Sequence, residues 1–270
     1  MSITLLLLPN ASESERFAMG RKRTSVREPC SARTASRFEQ AVSSVEIQPH
    51  YDHRSRSCGL PDHHKSRQSM TDIISDDSTE FHQKYFKDLK LSSTNIASKV
   101  FEECDFTRCS FNGSRFEHCK FIDCTFRSCD LSNLNIVRSK FLTVLFEECK
   151  IIGVDWNKAE WSRFAGPGQL AFKKSVISDS SFFGMKLPEL ILEDCRAQSV
   201  DFRAGDFSRS NFTYSDFAES MFGNTNLSGT DFREATNYDI DIRENQLKGA
   251  KFTRFEAIRL LDGLGFELFD

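Results

Sequence analysis

The stretch "CDFTRCSFNGSRFEHCKFIDCTFRSCDL", Cys104–Leu131, returns a large apolar side chain at every fifth position: Phe106, Phe111, Phe116, Phe121, Phe126 and Leu131. The frame extends back through Phe101, Ile96 and Leu91 to Phe86, and forward through Ile136, Phe141, Phe146, Ile151 and Trp156 to Trp161. A second frame begins at Phe172 and runs through Ile177, Phe182, Leu187, Leu192, Ala197, Phe202, Phe207, Phe212, Phe217, Phe222 and Leu227 to Phe232. Residues 162–171, around Gly166, Pro167 and Gly168, separate the two frames and shift the count by one.

A five-residue period fits neither regular element. In an α-helix it rotates each large residue by about 140° from the last, so no apolar stripe forms. In a flat strand an odd period sends successive large residues to opposite faces. What remains is a chain that bends once per repeat, each short segment pointing its central residue at a common axis. Such a solenoid buries its apolar face only against neighbouring coils. Two residues before each large residue comes a small one, for example Cys104, Cys109, Ser114, Cys119, Cys124 and Cys129. Residues two apart share a side of an extended segment, so large and small residues enter the interior together.

Here the sequence resembles a known family. "DFSRSNFTYSDF" (Asp206–Phe217) and "TNLSGTDFREA" (Thr225–Ala235) look like pentapeptide repeats: a small residue, Asp or Asn, Phe or Leu, then two polar residues. The resemblance implies an all-β fold, a right-handed quadrilateral β-helix with four repeats per coil, hence about seven coils at the ~4.8 Å spacing of paired strands. Within that family "CRAQSVDFRAGDF" (Cys195–Phe207) and the ending before "LGFEL" are similar to Qnr-type quinolone-resistance proteins, with MfpA and McbG-type microcin-immunity proteins as further relatives. This resemblance implies a DNA-mimicking homodimer that binds DNA gyrase or topoisomerase IV and protects it from poisons. It implies no direct contact with nucleic acid. Qnr proteins carry two protruding loops, whereas this chain has the single interruption at residues 162–171.

Charge divides the chain. Residues 1–69 hold eleven Lys and Arg against seven Asp and Glu, and residues 70–270 hold 25 against 32, a net of −7. The first 69 residues lack the period and are read as disordered or as translated sequence upstream of a natural start at Met70, with a basic flexible arm as the alternative. "LLLLP" is too short for a membrane span and follows no basic residue, so neither secretion nor a membrane is expected, and the protein is placed in the cytoplasm. The acidic repeat segment disfavours phosphate binding and is compatible with occupying a basic DNA-binding surface. The candidate partner-binding residues are the outward Asp201, Asp206, Asp216, Glu219, Asp231 and Glu234. Asp directly before the large residue also suits the repeat's own turns.

Seven of the nine Cys occupy the small inward slot, at a spacing unlike structural zinc sites, and are read as buried thiols with no metal. No phosphate-binding loop, metalloprotease helix or nucleophile elbow is present, and His118 lies on the outward side, so neither an enzyme nor a cofactor is expected. After Asn237, which stands where a large residue is due, the frame is expected to recover at Ile242, Leu247 and Phe252. The period then becomes helical from Phe255, giving a repeat domain over residues 70–253 and a short helix and cap over residues 254–270. Ile258, Leu261, Leu264 and Phe266 are the candidate dimer interface. The alternative to the topoisomerase reading is an interaction scaffold for an unrelated protein partner.

Overall fold

The computed structural model describes residues 79–161 and 168–266, all within the unit Gly59–Asp270. The expectations for residues 1–69 and for Gly166 and Pro167 fall outside these residues.

Each short strand centres on one large residue and pairs in parallel with the strand one coil on, twenty residues away except at two interruptions. Tyr85–Lys87, Asp105–Thr107, Thr125–Arg127, Val144–Glu147, Leu170–Lys173 and Ile191–Glu193 build a six-stranded sheet in this way. Glu80–His82, Val100–Glu102, Lys120–Ile122 and Lys140–Leu142 build a second, and Asn95–Ala97 with Arg115–Glu117 a third. Twenty residues per coil against five per repeat gives four sides. The result is a β-solenoid of about eight turns. The count exceeds the seven expected because the ladder already holds Phe81 and continues through Leu247 and Phe252.

The interior is a continuous column of rings. Phe86, Phe106, Phe126, Phe146 and Phe172 stack in turn at 4.7, 4.5, 5.1 and 5.1 Å between centroids, while neighbours within a coil meet edge to face, as Phe101 and Phe106 do at 5.3 Å. Both geometries suit the ring quadrupole.

The small inward slot has a function that its size alone does not reveal. Its side chain accepts the amide of the slot one coil back and reaches a carbonyl of that coil. The Cys109 N–H donates to Cys129 Sγ (3.3 Å), the Cys129 N–H to Cys149 Sγ (3.4 Å), and the Cys195 N–H to Ser215 Oγ (2.9 Å). The Cys129 thiol donates to the Phe106 carbonyl (3.5 Å) and the Ser215 hydroxyl to the Leu192 carbonyl (2.8 Å). The slot therefore asks for a small group that both accepts and donates, which Cys, Ser and Thr supply. Cys129→Ser should be tolerated, whereas Cys129→Ala leaves a buried amide unmet and should cost about 1–3 kcal/mol in urea unfolding.

The seven described cysteines are buried and free. Burial pushes the Cys119 thiol up to about 11 and the Cys195 thiol up to about 12. At pH 8 these seven thiols should resist an aromatic disulfide reagent in the native protein and react once it is denatured, with no reductant added.

Corners carry a second regularity. Gln83, Asp88, Glu103, Arg108, Asp123, Glu148, Lys174 and their counterparts, each two residues after the large residue, sit at φ between 49 and 63°. Their amides donate to the next coil, as Asp123 N–H does to the Leu142 carbonyl at 2.9 Å.

Two interruptions modify the coil. Phe126 pairs with Phe146, twenty residues on, but Phe146 pairs with Phe172, so residues between Trp161 and Phe172 form a six-residue insertion: one whole repeat plus the single-residue shift seen in sequence. Near the end, Asp216 pairs with Thr236 at the usual spacing, but Phe222 pairs with Ile240, and the spacing of twenty returns at Asn226 with Gln246. Two residues are missing from one side and restored on the next. Tyr238 and Ile240 therefore fill the interior and Ile242 is exposed, so the frame resumes at Leu247 and not at Ile242.

The terminal helix, Glu256–Leu264, is a 3-10 helix that stops at Gly265, in the left-handed region at φ 71°. Three residues per turn explain why a strict three-residue spacing from Phe255 forms a straight stripe.

Candidate binding surfaces

The acidic residues singled out in the sequence do not share a surface. Asp201 bridges Met221, Asp206 bridges Asn226, Asp216 bridges Thr236, and Asp231 bridges Asn211, which are four different ladders on four sides of the solenoid. Glu219 lies beside Asp216, and Glu234 beside Asp231.

All four aspartates close turns. Each accepts the backbone N–H two residues on: Arg203 for Asp201 (3.1 Å), Ser208 for Asp206 (3.0 Å), Ala218 for Asp216 (3.1 Å) and Arg233 for Asp231 (3.1 Å). Two are also neutralised by the same neighbour, Asp201 by Arg203 (2.8 Å) and Asp231 by Arg233 (2.7 Å). The Arg203 hydrogen bonds hold the Asp201 carboxyl below the usual range. Burial alone would raise Asp231, but Arg233 outweighs it and the net shift is downward. Glu219 and Glu234 instead meet hydroxyls, Ser199 at 3.0 Å and Thr253 at 3.1 Å.

Elsewhere charge alternates from coil to coil. Arg127 lies between Asp105 (3.2 Å) and Glu147 (3.1 Å), Arg108 pairs with Asp88 (2.8 Å) and Lys173 with Glu193 (3.0 Å). Toward the C-terminal end Glu219, Asp239 and Glu244 have no Lys or Arg within ion-pair distance among the described residues.

The shortened coil opens a groove there of about 690 Å³, lined by Arg203, Glu219, Met221, Asn237, Asp239, Asp241, Glu244 and Arg259 among others. Arg243 pairs with Asp241 at 2.5 Å and its hydrogen bonds drive that carboxyl down to about 2, so Asp241 stays ionised through the mildly acidic range. The helix fastens the same coil, since Arg259 Nε donates to the Tyr238 carbonyl (3.2 Å) and Glu256 accepts the Asn237 N–H (3.3 Å). Asp239, Asp241, Glu244 and Met221 escaped the sequence reading. Their signal was Asn237, where the period fails.

The helix turns Leu260 toward the core and leaves Phe255 83%, Ile258 51% and Phe266 61% exposed. Leu261 and Leu264, assigned with Ile258 and Phe266 to the dimer interface, are half-buried. Gly168, the described part of the loop assignment, takes φ 72° and donates to the Pro188 carbonyl at 3.2 Å.

Among the described residues no group of His, Cys, Asp and Glu is arranged to hold a metal ion, and no helix is long and apolar enough to cross a membrane. A β-solenoid presenting four patterned sides is a repeat scaffold. The segments that build it are pentapeptide repeats: residues 99–165 match the pentapeptide repeat region model, and residues 191–229 and 210–236 match the model for pentapeptide repeats in eight copies. No curated protein matches the chain.

Among solved structures, it is similar to a trypsin-treated variant of QnrB1, described as a plasmid-mediated fluoroquinolone resistance protein. The TM-score is 0.50 and the identity 21%, covering 71% of this chain and 92% of that one. A second trypsin-treated QnrB1 variant gives the same TM-score and identity, covering 71% and 90%. At that identity the similarity concerns the fold.

Proposed function

We propose that this protein is a non-enzymatic, DNA-mimicking binder of a type II topoisomerase, DNA gyrase or topoisomerase IV, which it shields from quinolones or microcin-type poisons. The observation that carries this reading is the net −7 of residues 70–270 on a repeat scaffold. The fluoroquinolone-resistance role of QnrB1 adds support from a protein of the same fold. Carboxylates stand in for phosphates, so binding is competitive with DNA and weakens with salt, because exposed charges are screened beyond about 8–10 Å at physiological ionic strength.

Glu219→Lys with Glu234→Lys should weaken gyrase binding several-fold in a DNA-competition assay and leave the melting temperature within a few degrees. Asp206→Lys should lower both, because Asp206 also accepts the Ser208 amide. Unchanged affinity in the double reversal contradicts the assignment of these carboxylates.

The partner surface is completed by a second copy. Phe255, Ile258 and Phe266 are large apolar side chains left in water at the open end of a solenoid, and a two-fold pairing there covers them without starting a filament. Phe255→Asp with Ile258→Asp should convert a dimer into monomers with unchanged β-type circular dichroism. Sedimentation of the unmodified protein as a monomer contradicts the pairing.

A further inference from the structure

We infer that the groove over the shortened coil takes an arginine- or lysine-bearing apolar peptide segment of a protein partner. This rests on the reading of the solenoid as an acidic protein-binding surface and specifies where and what it grips.

The groove has a structural cause. Met221 and Phe222 pair with Asp239 and Ile240 eighteen residues on, in place of twenty, so the two coils lose register at that corner and a cleft opens between them. Its floor is apolar: Met221 is 40% exposed, in the strand position that Asp201 occupies one coil earlier. Its walls are acidic. Of its two arginines, Arg203 is held by Asp201 (2.8 Å) and Arg259 faces Glu256 (3.9 Å); Asp241 is held by Arg243 (2.5 Å), but Glu219, Asp239 and Glu244 have no Lys or Arg within ion-pair distance among the described residues. Elsewhere on the solenoid Asp88, Glu147 and Glu193 meet cations from adjacent coils, whereas Glu103, Asp123 and Glu148 meet none among the described residues and supply a charge-matched comparison. Three unpaired carboxylates around an exposed thioether therefore offer what a long cationic side chain needs, charge at its tip and an apolar surface along its stem.

The groove also adjoins the exposed end, since Arg259 belongs to both the groove wall and the helix that carries Ile258. A segment seated there ends beside the face of Phe255 and Ile258 that the second copy covers. Charge and floor together favour a peptide over a compact cation, for which Met221 would serve no purpose.

The test uses the full chain and a fluorescein-labelled peptide of Arg-Leu-Gly repeats, followed by fluorescence anisotropy. The unmodified protein should bind it, and Glu219→Gln with Asp239→Asn and Glu244→Gln should weaken binding by about tenfold or more, the scale expected for losing charged hydrogen bonds. Met221→Ser should weaken it several-fold. Glu103→Gln with Asp123→Asn and Glu148→Gln removes equal charge from distant coils and should change affinity less than about twofold, as a rim charge does.

Absence of binding, or equal losses in the two triple variants, overturns the inference. Displacement by spermine at matched charge makes the groove a general polycation site and overturns the peptide assignment. The topoisomerase reading is scored separately by supercoiling. Peptide binding without gyrase inhibition leaves the groove standing and removes that partner, while full gyrase inhibition by the groove triple variant removes the groove and leaves the partner.

Discussion

Phe106→Ala should lower stability by about 3–5 kcal/mol, the cost of truncating a large aromatic in a packed core. Phe106 is buried and touches rings on every side, stacked on Phe86 (4.7 Å) and Phe126 (4.5 Å) and edge-on to Phe101 (5.3 Å) and Phe111 (6.0 Å). A solenoid cannot close such a gap by moving one helix, because each ring is held by the coils above and below. The cavity persists and neighbouring coils loosen together. Lys120→Ala, on an exposed strand position, should shift the urea midpoint little. Similar shifts in the two variants would contradict the assignment of inside and outside.

Asp123→Pro should be as damaging, by a different route. Asp123 sits at φ 51° and its amide donates to the Leu142 carbonyl at 2.9 Å. Proline fixes φ near −65° and has no N–H, so the corner loses both its turn and its hydrogen bond, a cost of roughly 3 kcal/mol or more. Asp123→Gly should be close to neutral, because the strain glycine relieves at this φ offsets the extra conformational entropy it loses on folding. A proline variant that melts with the parent would mean that the corner is not built this way.

The register of the fold was legible in the sequence because one rule holds at every fifth residue within each of two frames, Phe86–Trp161 and Phe172–Phe232, and the twenty-residue coil followed from the four repeats per coil that the family resemblance implied. The left-handed corners were legible only in part. Gly113, Gly153, Gly184, Gly229 and Gly249 stand at them, but most corners carry Ser, Asp, Glu, Arg or Lys, held at positive φ by the cross-coil hydrogen bonds. The slot's hydrogen bonding was missed for a related reason: Cys, Ser and Thr were read by size, while the structure uses their polar atoms.

The candidate site was legible only in parts. Asp201 with Arg203 and Asp231 with Arg233 stand two apart in "DFR", on one side of a short strand, so their mutual neutralisation could have been foreseen. The groove could not, since it depends on which two residues the last coils omit. Asn237 marked the failure of the period without showing that Tyr238 would turn inward and Ile242 outward.

The central claim is topoisomerase binding by charge mimicry, and DNA supercoiling by gyrase in the presence of the purified protein tests it most directly, with and without a fluoroquinolone. The account predicts inhibition of supercoiling at micromolar protein, relieved by added DNA or salt, and fewer drug-stabilised cleavage products. Supercoiling and cleavage that proceed unchanged at that concentration would contradict it.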